Sequence, residues 1–116
     1  MVTVDEVREF ATQLPRTTEA LVYDRVKFRI GRIVYAAFSR DETVMGFGFP
    51  RDEREMLVES EPDKFLMPRP SDMRFNWVCV RLTAIDAAEM RELLLDAWRM
   101  VVPKKVAAGY EALEHG

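Results

Sequence analysis

The chain has 116 residues, of which 48% are hydrophobic and 32% charged, and its net charge is −3. This size and composition predict one domain with a packed core. The acidic balance disfavours a protein that is basic over its whole surface, as nucleic-acid-coating proteins usually are, but it is compatible with a local basic face.

The single cysteine, Cys79, excludes an intrachain disulfide and the common zinc motifs. No segment approaches the ~18–20 apolar residues of a membrane span. Three acidic residues among the first nine make the N-terminus unlike a signal peptide. We therefore expect a cytoplasmic protein of bacterial type, with no membrane partner, no cofactor and no metal.

The N-terminal segment 3–14 has the pattern of an amphipathic helix. Thr3 and Glu6 have capping-box spacing at its start, and Pro15 ends it. Its apolar face is formed by Val7, Phe10, Ala11 and Leu14. Residues 15–24 are interpreted as a polar connection.

Residues 25–38 have the pattern of a β-hairpin. Charged and apolar residues alternate strictly over 25–30, which predicts a strand with one buried and one solvated face. Gly31-Arg32 would form a two-residue turn in which glycine takes a positive φ. The simple register places six residues on the core face, in the pairs Ile30 with Ile33, Phe28 with Tyr35 and Val26 with Ala37. The other face then holds Arg25, Lys27 and Arg29 opposite Phe38, Ala36 and Val34.

The middle of the chain predicts two further strands around a helix. A strand is expected over 43–47, and Pro50 opens a helix over 51–60 with Met56 and Leu57 as its inner positions. The proline-containing segment 61–74 is irregular apart from a short strand near 65–67. Residues 75–82 predict a central strand, since apolar side chains occur on both faces.

A long helix ends the predicted domain. It starts at Asp86, with Glu89 three residues later, and ends at Pro103. Its core stripe consists of Met90, Leu93, Leu94, Ala97 and Val101. The elements predict an α+β two-layer sandwich in the order α-β-β-β-α-β-β-α, with a mostly antiparallel sheet and helices on one side. Residues 1–105 form a single domain, and 106–116 are interpreted as a C-terminal tail.

Four stretches of core and turn sequence occur in a recognisable order. They are Leu14-Pro15 with Thr18-Glu19, the hairpin 26–38, the strand 76–82 and the segment 97–105. Together they resemble the MmcQ/YjbR family of small bacterial proteins, over a span from about Phe10 to Lys105. The resemblance implies a CyaY-like fold and a DNA-binding role through a proposed double-wing motif. The glycine-bearing, Tyr/His-containing segment that family members often have before the Trp-Val strand is replaced here by MPRPSDMRFNW.

The basic hairpin is the first candidate binding surface. Residues 25–40 contain five cations and no acid, a local charge of +5. Such a ribbon can enter a DNA groove or lie along phosphates, and Phe38 beside it can stack on a base. The alternative is an exposed strand whose charges prevent edge-to-edge pairing. The candidate nucleic-acid-binding residues are Arg25, Lys27, Arg29, Arg32, Phe38 and Arg40.

The aromatic and proline-rich segment 65–77 is the second candidate surface. Arg69, Arg74 and Trp77 combine basic and aromatic side chains, which suits a ligand or a protein partner. Strand alternation places Trp77 and Cys79 on the same face. The alternative is that Trp77 packs against a helix and Arg74 lies over it.

Other motifs give weak signals. Gly46-Phe47-Gly48 before a helix is typical of a strand bend rather than a phosphate loop, because acidic residues open that helix. Cys79 is expected to be a small buried hydrophobe. His115 is the only histidine and lies near the C-terminus. The acidic residues within 41–61 are expected to be solvated surface, so neither a metal site nor a catalytic residue is predicted.

Three functions are compatible with these features. The first is DNA or RNA binding through the hairpin, with an affinity that falls steeply with salt. The second is protein interaction or homodimerisation through the segment 65–77. The third, an enzyme or small-molecule binder, requires a concave pocket with converging polar groups, which no sequence feature predicts. We expect a non-enzymatic binding module, with DNA as its partner and a second copy of the chain as the alternative.

Overall fold

The computed structural model describes residues 1–115, with side chains up to Leu113. Its strands are β1 Thr17–Val22, β2 Arg25–Ile30, β3 Ile33–Phe38, β4 Val44–Gly48, β5 Phe65–Leu66 and β6 Trp77–Arg81. Its helices are α1 Val4–Ala11, α2 Arg51–Ser60, α3 Ala87–Arg99 and α4 Lys104–His115. The strands form one six-stranded sheet in the order β1-β2-β3-β4-β6-β5, and every neighbouring pair is antiparallel. The predicted α+β class with an antiparallel sheet is confirmed.

One face of the sheet forms the hydrophobic core with α1 and α3. Phe28, Phe47 and Val78 are fully buried on β2, β4 and β6, and they share the core cluster with Leu94 of α3. Trp98 of α3 is also fully buried, and its indole N–H donates to the carbonyl of Pro15 at 2.9 Å. The opposite face of the sheet is therefore the one available for binding.

Two of the three predicted helix starts have side-chain caps. Thr3 Oγ1 accepts from the backbone N–H of Glu6 at 3.2 Å, and Asp86 Oδ1 accepts from that of Glu89 at 2.8 Å. These caps satisfy N–H groups that have no partner within their helices. They fix the starts of the two helices that cover the core.

The turn of the β2–β3 hairpin forms as predicted. Gly31 has a φ of 58°, and Ile30 pairs with Ile33. Glycine adopts this left-handed conformation without the steric cost of a Cβ.

Beyond the turn, a β-bulge overturns the predicted pairing. The register shifts next to Phe28, which pairs with Ala36 instead of Tyr35. A bulge inserts one extra residue into one strand, and here it lets both Tyr35 and Ala36 be 0% exposed. The Tyr35 hydroxyl also lies 2.7 Å from Thr17 Oγ1, in a hydrogen bond between two hydroxyl groups. Because the simple register would also bury Tyr35, what the bulge adds is the burial of Ala36 and Phe38 on the core face.

The shift reverses the faces of the two residues that follow the bulge. Ala37 pairs with Lys27 rather than Val26 and lies on the open face. Phe38 is a core residue, 2% exposed, and contacts Phe28 edge to face at a centroid distance of 6.2 Å. The prediction that Phe38 lies on the basic face and stacks on a base is therefore wrong.

Two segments that were expected to be irregular contain regular structure. The connection 15–24 includes β1, which forms one edge of the sheet. Most of the segment 106–116, expected to be a tail, belongs to α4, whose Val106, Ala107 and Tyr110 pack against the core. That apolar stripe is only three residues long, so its helical period gives little signal in the sequence.

Helix α2 has the predicted bounds but a different inner face. Met56 is 77% exposed, contrary to prediction, whereas Leu57 and Val58 pack against the core. Arg54 is 6% exposed and points inward. The guanidinium group is directed inward because it donates to three backbone carbonyls of the segment 73–77.

Candidate nucleic-acid interface

A row of four paired residues, three of them small, crosses the centre of the open face of the sheet. Lys27, Ala37, Gly46 and Cys79 are paired in sequence across β2, β3, β4 and β6. Because paired residues of neighbouring strands share a face, their side chains stand side by side. The side chains of the row are smallest at β3 and β4, where they are a methyl group and a hydrogen atom.

A cleft of about 710 Å³ lies over this row. Its volume is within the range of about 300–1,000 Å³ that is typical of ligand sites. The β2–β3 hairpin, the segment 69–77 and residues 100–101 after α3 contribute to its walls. Four cationic side chains line it, namely Arg25, Lys27, Arg32 and Arg69. The structure thus contains a concave site that no feature of the sequence predicts.

Trp77 lies against the backbone of β4 because Gly46 has no side chain. A Cβ built on Gly46 would lie 2.5 Å from the indole nitrogen of Trp77 and 2.7 Å from its Cε2. Carbon atoms prefer separations of about 3.5–4.0 Å, so the indole occupies space that any larger residue would take. A Cβ on Gly48 would meet Ala97 at an ordinary distance of 3.5 Å. The absence of a side chain is therefore required at Gly46 and not at Gly48.

Arg54 of α2 holds the segment 73–77, which carries Trp77 into the sheet. Its guanidinium donates to the carbonyls of Phe75 at 2.9 Å and Trp77 at 3.1 Å, and also to that of Met73. A planar guanidinium with five N–H donors suits three acceptors in one loop. Arg54 therefore fixes the position of one wall of the cleft.

Two hydrogen bonds of Arg51, one of them to Asn76, also link α2 to the segment 73–77 on its exposed side. Arg51 Nη1 donates to the carbonyl of Arg74 at 2.7 Å, and the backbone N–H of Arg51 donates to Asn76 Oδ1 at 3.1 Å. The second bond gives the first turn of α2 an acceptor from outside the helix. Since its oxygen is engaged, Asn76 can offer its amide N–H groups to a ligand in the cleft that it lines.

Positive charge dominates the cleft. Asp72 is its only lining carboxylate in the described part of the chain, and it pairs with Arg69 at 3.4 Å. No carboxylate described by the structure forms an ion pair with Arg25, Lys27 or Arg32. Unpaired cations in a concave surface concentrate positive potential there, which favours an anionic ligand.

The family model named YjbR matches residues 12–100. This chain belongs to the YjbR family. The match confirms the resemblance found in the core and turn patterns of the sequence. A crystal structure of a Deinococcus radiodurans protein with a DUF419 domain is similar, with a TM-score of 0.75 and 24% identity over 90% of this chain and 82% of that one. At that identity the likeness shows a shared fold alone. No curated protein matches the chain.

The cleft of this YjbR-family protein combines residues from both candidate surfaces. Arg25, Lys27 and Arg32 line it from the hairpin, and Arg69 and Trp77 line it from the segment 65–77. The two surfaces that the sequence suggested as alternatives are parts of one surface, because the sheet order brings β2 and β6 to the same open face.

Three of the predicted site residues do not line the cleft. Arg29 is exposed on the open face beside it, and Arg40 is exposed in the turn after β3. The guanidinium carbon of Arg74 lies 4.7 Å from the ring centroid of Phe75, and therefore not over Trp77 as the alternative interpretation held. Trp77 itself is half-buried on the open face of the sheet rather than packed against a helix.

Sequence reasoning missed the residues that shape this YjbR-family site. The sequence patterns assign no role to Arg54, Asp72 or Asn76, and at Gly46 they predict only a strand bend. One signal was present: Arg51 and Arg54 are the only cations of an otherwise acidic helix, at a spacing that puts them on one face. Their acceptors are backbone atoms about twenty residues away, which no local pattern reveals.

The remaining weak motifs have structural explanations in the described residues. Burial raises the pKa of the Cys79 thiol, the negative charge of Asp72 raises it further, and Arg69 opposes the shift. Among the side chains that the structure describes, those of residues 1–113, no three or more His, Cys, Asp or Glu are grouped to hold a metal ion. The side chain of His115 lies outside the described residues. No helix within residues 1–115 has the length and hydropathy needed to cross a bilayer.

Proposed function

We propose that this protein is a nucleic-acid-binding module that acts without catalysis, and that the open face of its sheet is the binding surface. The proposal rests on the convergence of four cations and a tryptophan on one cleft. Arg and Lys side chains bind phosphates, and aromatic rings stack on bases. A nucleic acid is the polymer that uses both kinds of side chain at once.

The hairpin side of the cleft is the part best suited to phosphate. Arg25, Lys27 and Arg32 belong to one strand and its turn, and Arg29 extends the basic surface past the cleft. The net charge of the chain is −3, so the rest of the surface repels a polyanion. Electrostatic steering therefore favours this face over any other.

Two described residues that could act as nucleophiles at the cleft, Cys79 and Ser39, are not activated. The raised pKa of Cys79 keeps its thiol protonated near neutral pH, and thiols react as thiolates. The Ser39 hydroxyl at the rim donates to Asp41 at 2.7 Å. Hydrogen bonds from Ser39 and Thr43 lower the pKa of Asp41, which makes that carboxylate a weak base. Both features favour binding over chemistry.

The test compares two triple variants that remove the same charge. The cleft variant, Arg25/Lys27/Arg32→Ala, removes the three cations on the hairpin side of the cleft. The control variant, Arg91/Lys104/Lys105→Ala, removes three exposed cations from α3 and α4. Fluorescence anisotropy with labelled oligonucleotides at about 50 and 200 mM salt measures affinity and its salt dependence. We expect the wild-type affinity to fall by about 0.7–0.9 log units per log unit of salt for each phosphate neutralised.

The cleft variant should lose both affinity and salt dependence, and the control variant should keep most of each. Equal losses in the two variants would mean that binding is diffuse and does not use the open face. An absence of binding by the wild-type protein at about 50 mM salt would refute the proposed function, because the electrostatic contribution is greatest there.

A further inference from the structure

We infer that the open face takes single-stranded rather than duplex nucleic acid, with one unpaired base inside the cleft. This inference rests on the proposed function and adds the class of ligand. Three observations support it: the place of the basic strand within the sheet, the relief of the open face, and the mixture of polar groups in the cleft.

The basic hairpin is not a free ribbon. β2 is paired with β1 on one side and β3 on the other, within a sheet of six strands. Strands lie about 4.8 Å apart, so the sheet is about 24 Å wide. The major groove of B-DNA is only about 12 Å wide. Only the Gly31-Arg32 turn could reach into a groove, and the cations of β2 would stay outside it.

The concave shape of the open face also favours a flexible single strand of nucleic acid over a duplex. Ala37 and Gly46 form the floor of the cleft, the Trp77 indole lies against Gly46, and the segment 69–77, the hairpin and Met100 line the cleft around them. A rigid duplex resting on these walls would not touch the floor. An unpaired nucleotide can enter, because its base is not held in a pair and its backbone bends freely. Trp77 is then in position to stack on it.

The polar groups of the cleft match a nucleotide better than a bare phosphate. Asp72 would repel phosphate, but a carboxylate accepts hydrogen bonds from the amino group of a base. Asn76 lines the same cleft and offers amide N–H donors to a base edge. Three of the four lining cations are on the hairpin side, and the fourth, Arg69, pairs with Asp72. The two ends of a nucleotide would therefore meet groups of different chemistry.

The experiment compares one sequence as single-stranded DNA, single-stranded RNA and duplex DNA, and uses the indole signals of the protein as an internal probe. The chain has two tryptophans. Trp98 is fully buried and its N–H is bonded to Pro15, whereas Trp77 is half-buried in the cleft. In ¹⁵N-correlated spectra of the wild-type protein, single strands should shift the Trp77 indole resonance and leave that of Trp98 in place.

Affinity measurements complete the test. Either single strand should bind about tenfold more tightly than the duplex, a preference the size of one base stack. Trp77→Ala should reduce single-strand affinity by about tenfold, and Trp77→Phe, which keeps a ring, should recover most of it. Thermal unfolding of each variant establishes that it is folded. Adenosine monophosphate serves as a competitor of the labelled oligonucleotide, because it is a free nucleotide that is not part of a nucleic-acid strand.

The outcomes separate this inference from the proposed function. If duplex binds as tightly as single strands and the Trp77 signal does not move, while the hairpin charge variant still loses binding, the open face binds nucleic acid but the single-strand inference is wrong. If adenosine monophosphate displaces the strand at micromolar concentration, the cleft is a site for free nucleotides and the inference is also wrong. No binding of any oligonucleotide would overturn both.

Discussion

Replacing Arg54 by alanine tests whether α2 positions the wall of the cleft. Arg54 is 6% exposed, and its guanidinium donates to three backbone carbonyls of the segment 73–77. A hydrogen bond that involves a charged group contributes about 1.5–3 kcal/mol. Bonds that share one side chain are not additive, so we expect Arg54→Ala to lower the free energy of unfolding by about 3–5 kcal/mol.

Arg51→Ala is the matched control because it lies on the same helix and bonds to the same segment. Its side chain is exposed and donates to one carbonyl, so the expected loss is below about 1 kcal/mol. Arg54→Lys should recover little stability, since an ammonium group cannot span three carbonyls. Urea unfolding followed by circular dichroism measures all three variants. Equal losses for Arg51→Ala and Arg54→Ala would refute the positioning role, as would full recovery by lysine.

Three further predictions concern the floor, the core and the last helix. Gly46→Ala should displace the indole beside it, change the tryptophan fluorescence and cost about 1–3 kcal/mol of stability, whereas Gly48→Ala should do neither because its Cβ has ordinary space. Burial raises the pKa of Tyr35 to about 12, above the unfolded value of about 10. The protonated phenol therefore contributes stability at neutral pH that is lost as the pH rises from about 10 to about 12. In pH-dependent unfolding curves, Tyr35→Phe should remove the part of the fall in unfolding free energy that comes from ionisation of this phenol. Tyr110→Ala should destabilise the fold by about 2 kcal/mol, while Leu113→Ala, at a position that is 85% exposed, should be neutral in the same assay.

Local patterns predicted the elements whose signals repeat along the chain. The caps of α1 and α3, the turn at Gly31 and the bounds of α2 all follow from short-range chemistry. The edge strand β1 was missed because its exposed and half-buried residues do not alternate strictly. Helix α4 was missed because it buries only a short stripe against a core that the sequence does not show.

The candidate site was only half predictable for a related reason. Composition identified Arg25, Lys27, Arg69 and Trp77 as unusual, but gave them to two separate surfaces. These residues line one cleft because β4 pairs with β6, and β6 lies about thirty residues further along the chain than β4. Pairing between distant strands is decided by tertiary packing, so no local feature indicated that one cleft would hold both groups.

The bulge in β3 is the feature on which the cleft depends. Under the simple register, Ala36 and Phe38 would lie on the open face, and the phenylalanine ring would stand where the cleft is. With the bulge, Ala36 is 0% exposed and Phe38 is 2% exposed in the core, while Ala37 pairs with Gly46 on the open face. Without the extra residue in β3, the Phe38 ring would fill the open face of the sheet; with it, that face is concave.

Two substitutions of neighbouring alanines test this account, because the two registers predict opposite results. Ala36→Leu should overpack the core and cost about 1–3 kcal/mol in urea unfolding. Ala37→Leu should change stability by less than about 0.5 kcal/mol but fill the floor of the cleft and weaken oligonucleotide binding. The simple register predicts the reverse: Ala37→Leu destabilising and Ala36→Leu tolerated. If that reverse pattern were measured, the bulge would be excluded, and with it the concave surface on which the proposed nucleic-acid interface rests.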